Sequence, residues 1–247
     1  MKTVVVTNNK GGVGKTAISV HLAQYLEEQG KSVLVIDLDG QGNTSKTLSA
    51  HASGVKTMQL FVGSTPKIAA NPGITLIEAD THVSELEQAP KEQVLSALRR
   101  VLPIIGKDFD YCVIDTPPGA GLRVISALMA AQYALAPIEL DSYSIDGITQ
   151  MLQTLVGIER QYNPGLVFVG MLANRLNSNS VSQKAALDEL LAHYARYMVP
   201  AKIGNRSSIP EALREGVPVW RLKKTAAREA GAEMLEALKI IGKRIGL

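Results

Sequence analysis

The chain has 247 residues, 46% apolar and 20% charged, a balance that excludes a disordered chain and leaves enough length to bury a sizeable core. No apolar run approaches the ~18 residues of a membrane span, the amino-terminal stretch is too short in apolar residues for a signal peptide, and the single cysteine, Cys112, excludes an intramolecular disulfide framework or an all-cysteine metal site within one chain. The net charge of +3 is uneven: Arg196–Leu247 carries 11 Lys/Arg against 5 Asp/Glu, whereas residues 1–195 carry 15 against 18, so the basic final fifth reads either as solvated helix faces or as a surface for a polyanion.

In chain order, short apolar runs alternate with helix-length segments. Thr3–Thr7 (TVVVT) predicts a first strand and Lys15–Gln29 a helix. Ser32–Asp37 (SVLVID) and Ile74–Ala79 (ITLIEA) predict strands, followed by a helix over Ser84–Leu102. Tyr111–Thr116 (YCVIDT) and Tyr133–Leu140 (YALAPIEL) predict two more strands. Ile145–Gln161 predicts a helix, Leu166–Ala173 (LVFVGMLA) a sixth strand, Ser180–Ala195 a helix and Thr225–Ile245 a last helix. Most runs are apolar at both alternating positions, the mark of strands buried on two faces. Strand–helix alternation then implies βαβ crossovers, with helices on both faces of a mostly parallel, twisted sheet. Asn71-Pro72-Gly73 and Asn163-Pro164-Gly165 read as turns, and no linker or repeat interrupts the pattern, so residues 1–247 are expected to form one α/β domain. A reducing, cytoplasmic setting fits the lone cysteine.

The first strand runs into Asn8-Asn9-Lys10-Gly11-Gly12-Val13-Gly14-Lys15-Thr16-Ala17, and a helix follows. Glycines after a strand let backbone N–H groups turn inward around phosphate, and the positive end of the helix adds to the attraction. Lys15 supplies a point charge for the β- and γ-phosphates, and Thr16 offers a hydroxyl to Mg2+. The pattern G-x-x-x-x-G-K-[ST] is not fully met, because Asn9 stands where its first glycine would be and a second lysine, Lys10, precedes the glycines.

Two acidic segments accompany the loop. Asp37 and Asp39 lie at i, i+2 on the second strand's end, so they point the same way, toward the crevice at the carboxyl edge of a parallel sheet. Asp115 ends a buried apolar strand, as a Walker B carboxylate does, and would hold Mg2+; Pro117-Pro118-Gly119 then stiffens a turn able to sense the γ-phosphate. His21, His51, His82 and His193 lack metal-ligand spacing, and Cys112 lies mid-strand as a core residue. Phosphoryl transfer to water needs mainly positioning and charge neutralisation, which these groups supply without covalent catalysis.

The stretch from Lys10 to Thr16 resembles the deviant Walker A motif of the ParA/MinD ATPases. Asp37-Leu38-Asp39-Gly40-Gln41-Gly42-Asn43 is similar to that family's D-x-D-P-Q-G-N signature, with Gly40 in place of the usual proline, and Asp115-Thr116-Pro117-Pro118 is similar to its D-x-P-P pattern. The resemblance implies a P-loop ATPase using ATP and Mg2+. In it Lys10 reaches across an ATP-sandwich homodimer to the partner's nucleotide, Asp39 positions the attacking water, and Asp37 supports the Mg2+ region. Residues 10–17 would cradle the triphosphate, and Asn174, at the end of the sixth strand, would bond adenine. Lys202–Ala212 and Gly216-Val217-Pro218-Val219 resemble a family stretch in which an isoleucine-led strand leads to a Glu-Ala pair and G-x-P-V. Basic residues near it bind DNA without sequence specificity in ParA proteins, which makes Arg206, Arg221, Lys223, Lys224 and Arg228 candidates.

Met1–Thr7 leaves no room for a helix-turn-helix ahead of the first strand, so specific DNA reading is expected to fall to a partner such as a ParB-like centromere-binding or cargo adaptor protein. The implied protein is cytoplasmic and nucleoid-associated. The resemblance also admits a MinD-like membrane-positioning ATPase, because the last helix carries an apolar stripe through Ala230, Met234, Leu235, Leu238, Ile241 and Ile245. Packing of that stripe onto the body is the commoner fate, and membrane attachment is not expected. A third reading is a metabolic enzyme on the same scaffold, such as a biotin-pathway ligase or a small-molecule kinase. An iron–sulfur relative is disfavoured by the single cysteine.

Overall fold

A computed structural model describes residues 1–140 and 144–247, with the side chains of 144–146 left aside. Eight strands are described: β1 (Lys2–Val6), β2 (Val33–Asp37), β3 (Ala52–Lys56), β4 (Ile74–Glu78), β5 (Tyr111–Asp115), β6 (Tyr133–Ile138), β7 (Val167–Leu176) and β8 (Met198–Gly204). They form one sheet in the order β3-β4-β2-β5-β1-β6-β7-β8, and every described pairing is parallel. Eight α-helices are described with them: α1 (Lys15–Glu28), α2 (Asn43–Thr47), α3 (Lys91–Ile105), α4 (Leu122–Ala130), α5 (Ser144–Gln161), α6 (Val181–Tyr194), α7 (Ser208–Glu215) and α8 (Thr225–Arg244).

The doubly apolar strands divide their side chains between two cores. Val5, Leu34, Ile36, Cys112 and Ile114 pack with residues of α3, α4 and α5 on one face. Val4, Val6, Val33, Val35, Tyr111 and Val113 pack with α1 and α8 on the other. Alternate residues of one strand therefore serve opposite cores, which is why these strands read as unbroken apolar runs.

The central strands lie where the sequence places them, give or take a residue or two, and β7 runs three residues beyond Ala173. Two differences have physical causes. The expected helix over Ser84–Leu102 is split into a 3-10 turn at Val83–Glu87 and α3, with Pro90 at the cap position of α3. Proline disfavours helical backbone in the residue before it and carries no N–H, so the first turn cannot run on into the second. Strand β3 (ASGVK) was not expected, and β8 (MVPAKIG) is foreshadowed only by the family resemblance. Both are edge strands, half-exposed and interrupted by Gly54 and Pro200, so neither shows an apolar run.

The order brings β1, β2 and β5 together. Val6 lies opposite Asp115, and Asp115 opposite Asp37. The carboxyl ends of these strands thus deliver the glycine loop and both acidic segments to one edge, the place where ligands bind in open α/β sheets.

Candidate nucleotide site

The loop between β1 and α1 is pinned from three sides. Asn8 Nδ2 donates to the Pro137 carbonyl at 2.8 Å, and Asn8 Oδ1 accepts the Lys10 N–H at 2.9 Å. The Gly119 N–H donates to the Asn9 carbonyl at 2.9 Å, and Thr116 Oγ1 donates to the Val6 carbonyl at 2.8 Å. The Pro-Pro-Gly turn is thereby tied to the loop it was expected to accompany. Gly14 has a φ of 94°, and a Cβ there would come within 2.1 Å of Asn174 Nδ2. Only glycine fits that backbone under that side chain.

Lys15 is 7% exposed. Its ammonium curls into the loop and donates to the carbonyls of Lys10 at 2.9 Å and Asn8 at 3.2 Å. Burial lowers its pKa, opposed by the nearby charges of Asp115 and then Asp39. A buried cation that donates to loop carbonyls among glycines is a fitting receptor for a triphosphate.

Asp115 is fully buried and accepts three hydroxyl hydrogen bonds. Thr16 and Thr44 donate to Oδ2 at 2.8 and 2.7 Å, and Ser19 donates to Oδ1 at 3.1 Å. Burial raises its pKa against the pull of those three donors. The hydroxyl of Thr16 beside this carboxylate is the hard-oxygen set that suits Mg2+. Asp37 accepts from the Ser45 N–H at 2.8 Å and the Ser45 hydroxyl at 2.7 Å, both on Oδ2. Burial, and then the neighbouring Asp115, push its pKa up to about 7.

Asp39 faces an open cleft of about 850 Å³, which Gly11, Gly12, Gly14, Lys15, Thr16 and Ala17 also line. Its Oδ1 accepts the Gln41 N–H at 3.1 Å, and its carbonyl accepts the Gly42 N–H at 2.9 Å, closing a turn into α2. Gly42 takes a φ of 64° at that corner, whereas Gly40 has no positive φ and a Cβ there would make ordinary contact with Val83. The proline-to-glycine departure therefore sits where the backbone does not demand glycine. Val13 is buried in the loop's wall.

Lys10 lies on the outer rim. Its side chain is 47% exposed, with Nζ 3.9 Å from Glu139 Oε2. Arg175 shares that carboxylate at 3.8 Å and donates through Nη1 to the Gly12 carbonyl at 2.7 Å. Arg175 is the one non-glycine residue with a positive φ among the described residues, at 57°. Asn174 is 3% exposed and donates to the Val13 carbonyl at 2.8 Å, so its carboxamide rests on the loop and does not line the cleft.

Several of these residues escaped the reading of the chain. Ser19 follows Thr16 by three helical positions and so shares its face, a signal present in the sequence. Glu139 and the α7 wall of the cleft (Pro210, Leu213 and Arg214) are brought in only by the fold. The basic candidates divide. Arg206 is paired with Glu229 and, at 2.8 Å, with Glu233; Lys224 is paired with Glu211; and Arg221 lies 2.6 Å from Glu28. Lys223 and Arg228 are exposed and form no ion pair among the described residues.

Fold and site define a P-loop nucleotide hydrolase, because the sheet order brings the buried Lys15, the half-buried Thr16 and the strand-end carboxylate bonded to Thr16 together at one open cleft. The AAA domain family matches residues 1–168. Protein IncC of Escherichia coli is 42% identical over 246 residues, covering 95% of this chain and 67% of that protein. The chromosome partitioning protein ParA of Caulobacter vibrioides is 29% identical over 231 residues, covering 89% and 86%. The ATP complex of an Asp-to-Ala variant of Cyanothece McdA superposes with a TM-score of 0.85 at 23% identity, over 100% of this chain and 97% of that one. The chain belongs to the ParA/MinD family of deviant Walker A ATPases. It is an ATPase, and its cofactors are ATP and Mg2+.

Proposed function

We propose that this ATPase forms an ATP-sandwich homodimer, binds DNA without sequence specificity and moves a large cargo, such as a plasmid or chromosome, through partner-stimulated hydrolysis. The observation that carries the reading is the opposed placement of the two lysines. Lys15 is folded into its own loop, whereas Lys10 stands half-exposed on the rim. A lysine on the rim is suited to a triphosphate held by a second copy.

Within one protomer, the loop N–H groups and Lys15 bind the phosphates. Thr16 and Asp115 hold the magnesium ion, which supplies charge neutralisation at the phosphates. Asp39, held by Gln41, orients water, and the α7 wall of Pro210, Leu213 and Arg214 borders the cleft. A ParB-like or cargo adaptor protein supplies the trigger. Coupling follows if DNA affinity differs between the paired and single states.

The α8 stripe bears on the membrane alternative. Ala230, Met234, Leu238, Ile241 and Ile245 are fully buried against the sheet, and no described helix is long and apolar enough to cross a membrane. The apolar face that a membrane-surface helix would need is already occupied. DNA therefore remains the favoured surface, met by Lys223 and Arg228, with the family-matched Arg206, Arg221 and Lys224 beside them.

The test is light scattering during gel filtration with Mg2+ and a non-hydrolysable ATP analogue. The wild-type mass should double. Lys10→Ala should keep nucleotide binding by calorimetry and stay single, whereas Lys15→Ala should lose the nucleotide itself. A wild-type protein that binds the analogue and remains single overturns the sandwich.

A further inference from the structure

Segment 39–47, which carries Asp39, is fastened to the sheet by two successive side chains. Ser45 donates to Asp37 through both its N–H and its hydroxyl, at 2.8 and 2.7 Å. Its Oγ also accepts the Ala79 N–H at 2.8 Å. Thr44, fully buried, donates at 2.7 Å to Asp115 Oδ2, the same oxygen that Thr16 reaches at 2.8 Å. Asp37 and Asp115 lie opposite each other in adjacent parallel strands. One short helix, α2, is thus bolted to both strand-end carboxylates.

The two bolts differ in consequence. The Ser45 bond ends on a carboxylate that faces no hydroxyl of α1, so it anchors the segment to the sheet alone. The Thr44 bond ends on the carboxylate oxygen shared with the P-loop threonine. Three elements therefore meet at that atom: α1 through Thr16, β5 through Asp115 and the Asp39-bearing segment through Thr44. A hydrogen bond to a buried carboxylate is among the stronger ones, and losing the donor leaves an under-satisfied charge.

We propose that Thr44 is a positioning residue of the ATPase reaction. Its hydroxyl fixes the orientation of Asp115 toward the magnesium ion and holds the segment bearing Asp39 in register with it, so that the metal carboxylate and the water-orienting carboxylate are set by one hydrogen-bonded unit. The inference rests on the nucleotide-site reading above. A merely structural Thr44 would fill space and affect stability alone.

The experiment compares Thr44→Val, which keeps the shape and removes the donor, with Thr44→Ser, which keeps the donor. Binding of a fluorescent ADP in EDTA should match wild type in both. In Thr44→Val the Mg2+ concentration that half-saturates the magnesium-dependent gain in ATP-analogue affinity should rise about tenfold or more, the scale of one hydrogen bond to a charged group. Amide exchange of residues 39–47 in the nucleotide-free protein should accelerate by a similar factor of about ten. Thr44→Ser should restore both. Wild-type magnesium dependence, or wild-type protection of residues 39–47, in Thr44→Val overturns the proposal. Should Thr44→Val fail to fold, Thr44→Cys, close in volume and a weak donor, is read by the same two measurements. If wild-type protein shows no magnesium-dependent nucleotide binding, it is the nucleotide-site reading that fails.

Discussion

At Asp37 two influences compete. Burial and the neighbouring Asp115 disfavour its charge, while the Ser45 and Asp39 donors favour it, and the balance leaves its pKa at about 7. The folded protein therefore keeps a proton on Asp37 over an interval in which the unfolded chain, with a pKa near ~4, has lost it. Stability contributed by that proton is present at low pH and is lost as pH rises through the interval. Asp37→Asn removes the titration, so its melting-temperature advantage over wild type should grow from about pH 4 to about pH 7 and then level off. His21 acts with the opposite sign. Its pKa is pushed down to about 4 by burial, so its contribution is lost as pH falls. Both proteins carry His21, so the difference isolates Asp37. Calorimetric melting in EDTA without nucleotide checks it, and an advantage that shrinks with rising pH would show Asp37 already charged in the folded state. The spacing of Asp37 and Asp39 was legible in the sequence. The raised pKa was not, because it depends on β5 lying beside β2.

Among the elements, α1 and α8 illustrate what a pattern can and cannot tell. The α1 helix was legible from its length and the loop before it, yet nine of its residues other than Lys15 are buried, including Ser19, His21 and Gln24. A helix buried nearly all round shows little amphipathic signal. Distant segments meet part of its polar demand: His21 Nε2 accepts the Val219 N–H at 3.2 Å and Gln24 Nε2 donates to the Gly216 carbonyl at 3.2 Å, while His21 Nδ1 donates within the helix to the Ala17 carbonyl at 2.7 Å. The α8 stripe was equally legible, but periodicity alone could not separate a membrane face from a packed one. Packing predicts that Leu238→Ala, at a site with no exposure, destabilises the protein by about 2–5 kcal/mol. Urea unfolding measures that loss, and a change within error would mean the helix does not bear on the core. The edge strands β3 and β8 were the hardest elements to read, since an edge lacks the second buried face that makes a central strand conspicuous.

Across the whole molecule, the basic C-terminal fifth resolves into two groups. Arg206, Arg221 and Lys224 are held by Glu233, Glu28 and Glu211, whereas Lys223 and Arg228 are exposed. A cation already facing a carboxylate releases fewer counterions on meeting a phosphate than one facing solvent. Charge reversal of Lys223 with Arg228 should therefore weaken duplex binding and lower the salt slope by about two, one per phosphate contact. Reversal of Arg206 should act less on the slope and more on stability, through Glu229 and Glu233. Gel shifts across a salt series, beside ATP binding as the control, decide between them. An unaltered slope in the Lys223/Arg228 variant would move the DNA surface elsewhere.

The sequence by itself determined the class of sheet, the phosphate loop, the strand-end carboxylates and the kinship, because each is written in local periodicity or in spacing over a few residues. Only the tertiary structure decided which hydroxyls share the Asp115 oxygen, which carboxylate stands beside Lys10, which helix walls the cleft and which cations are already paired. Those are contacts between residues tens to hundreds of positions apart, set by strand order and crossover packing, and no window along the chain contains both partners.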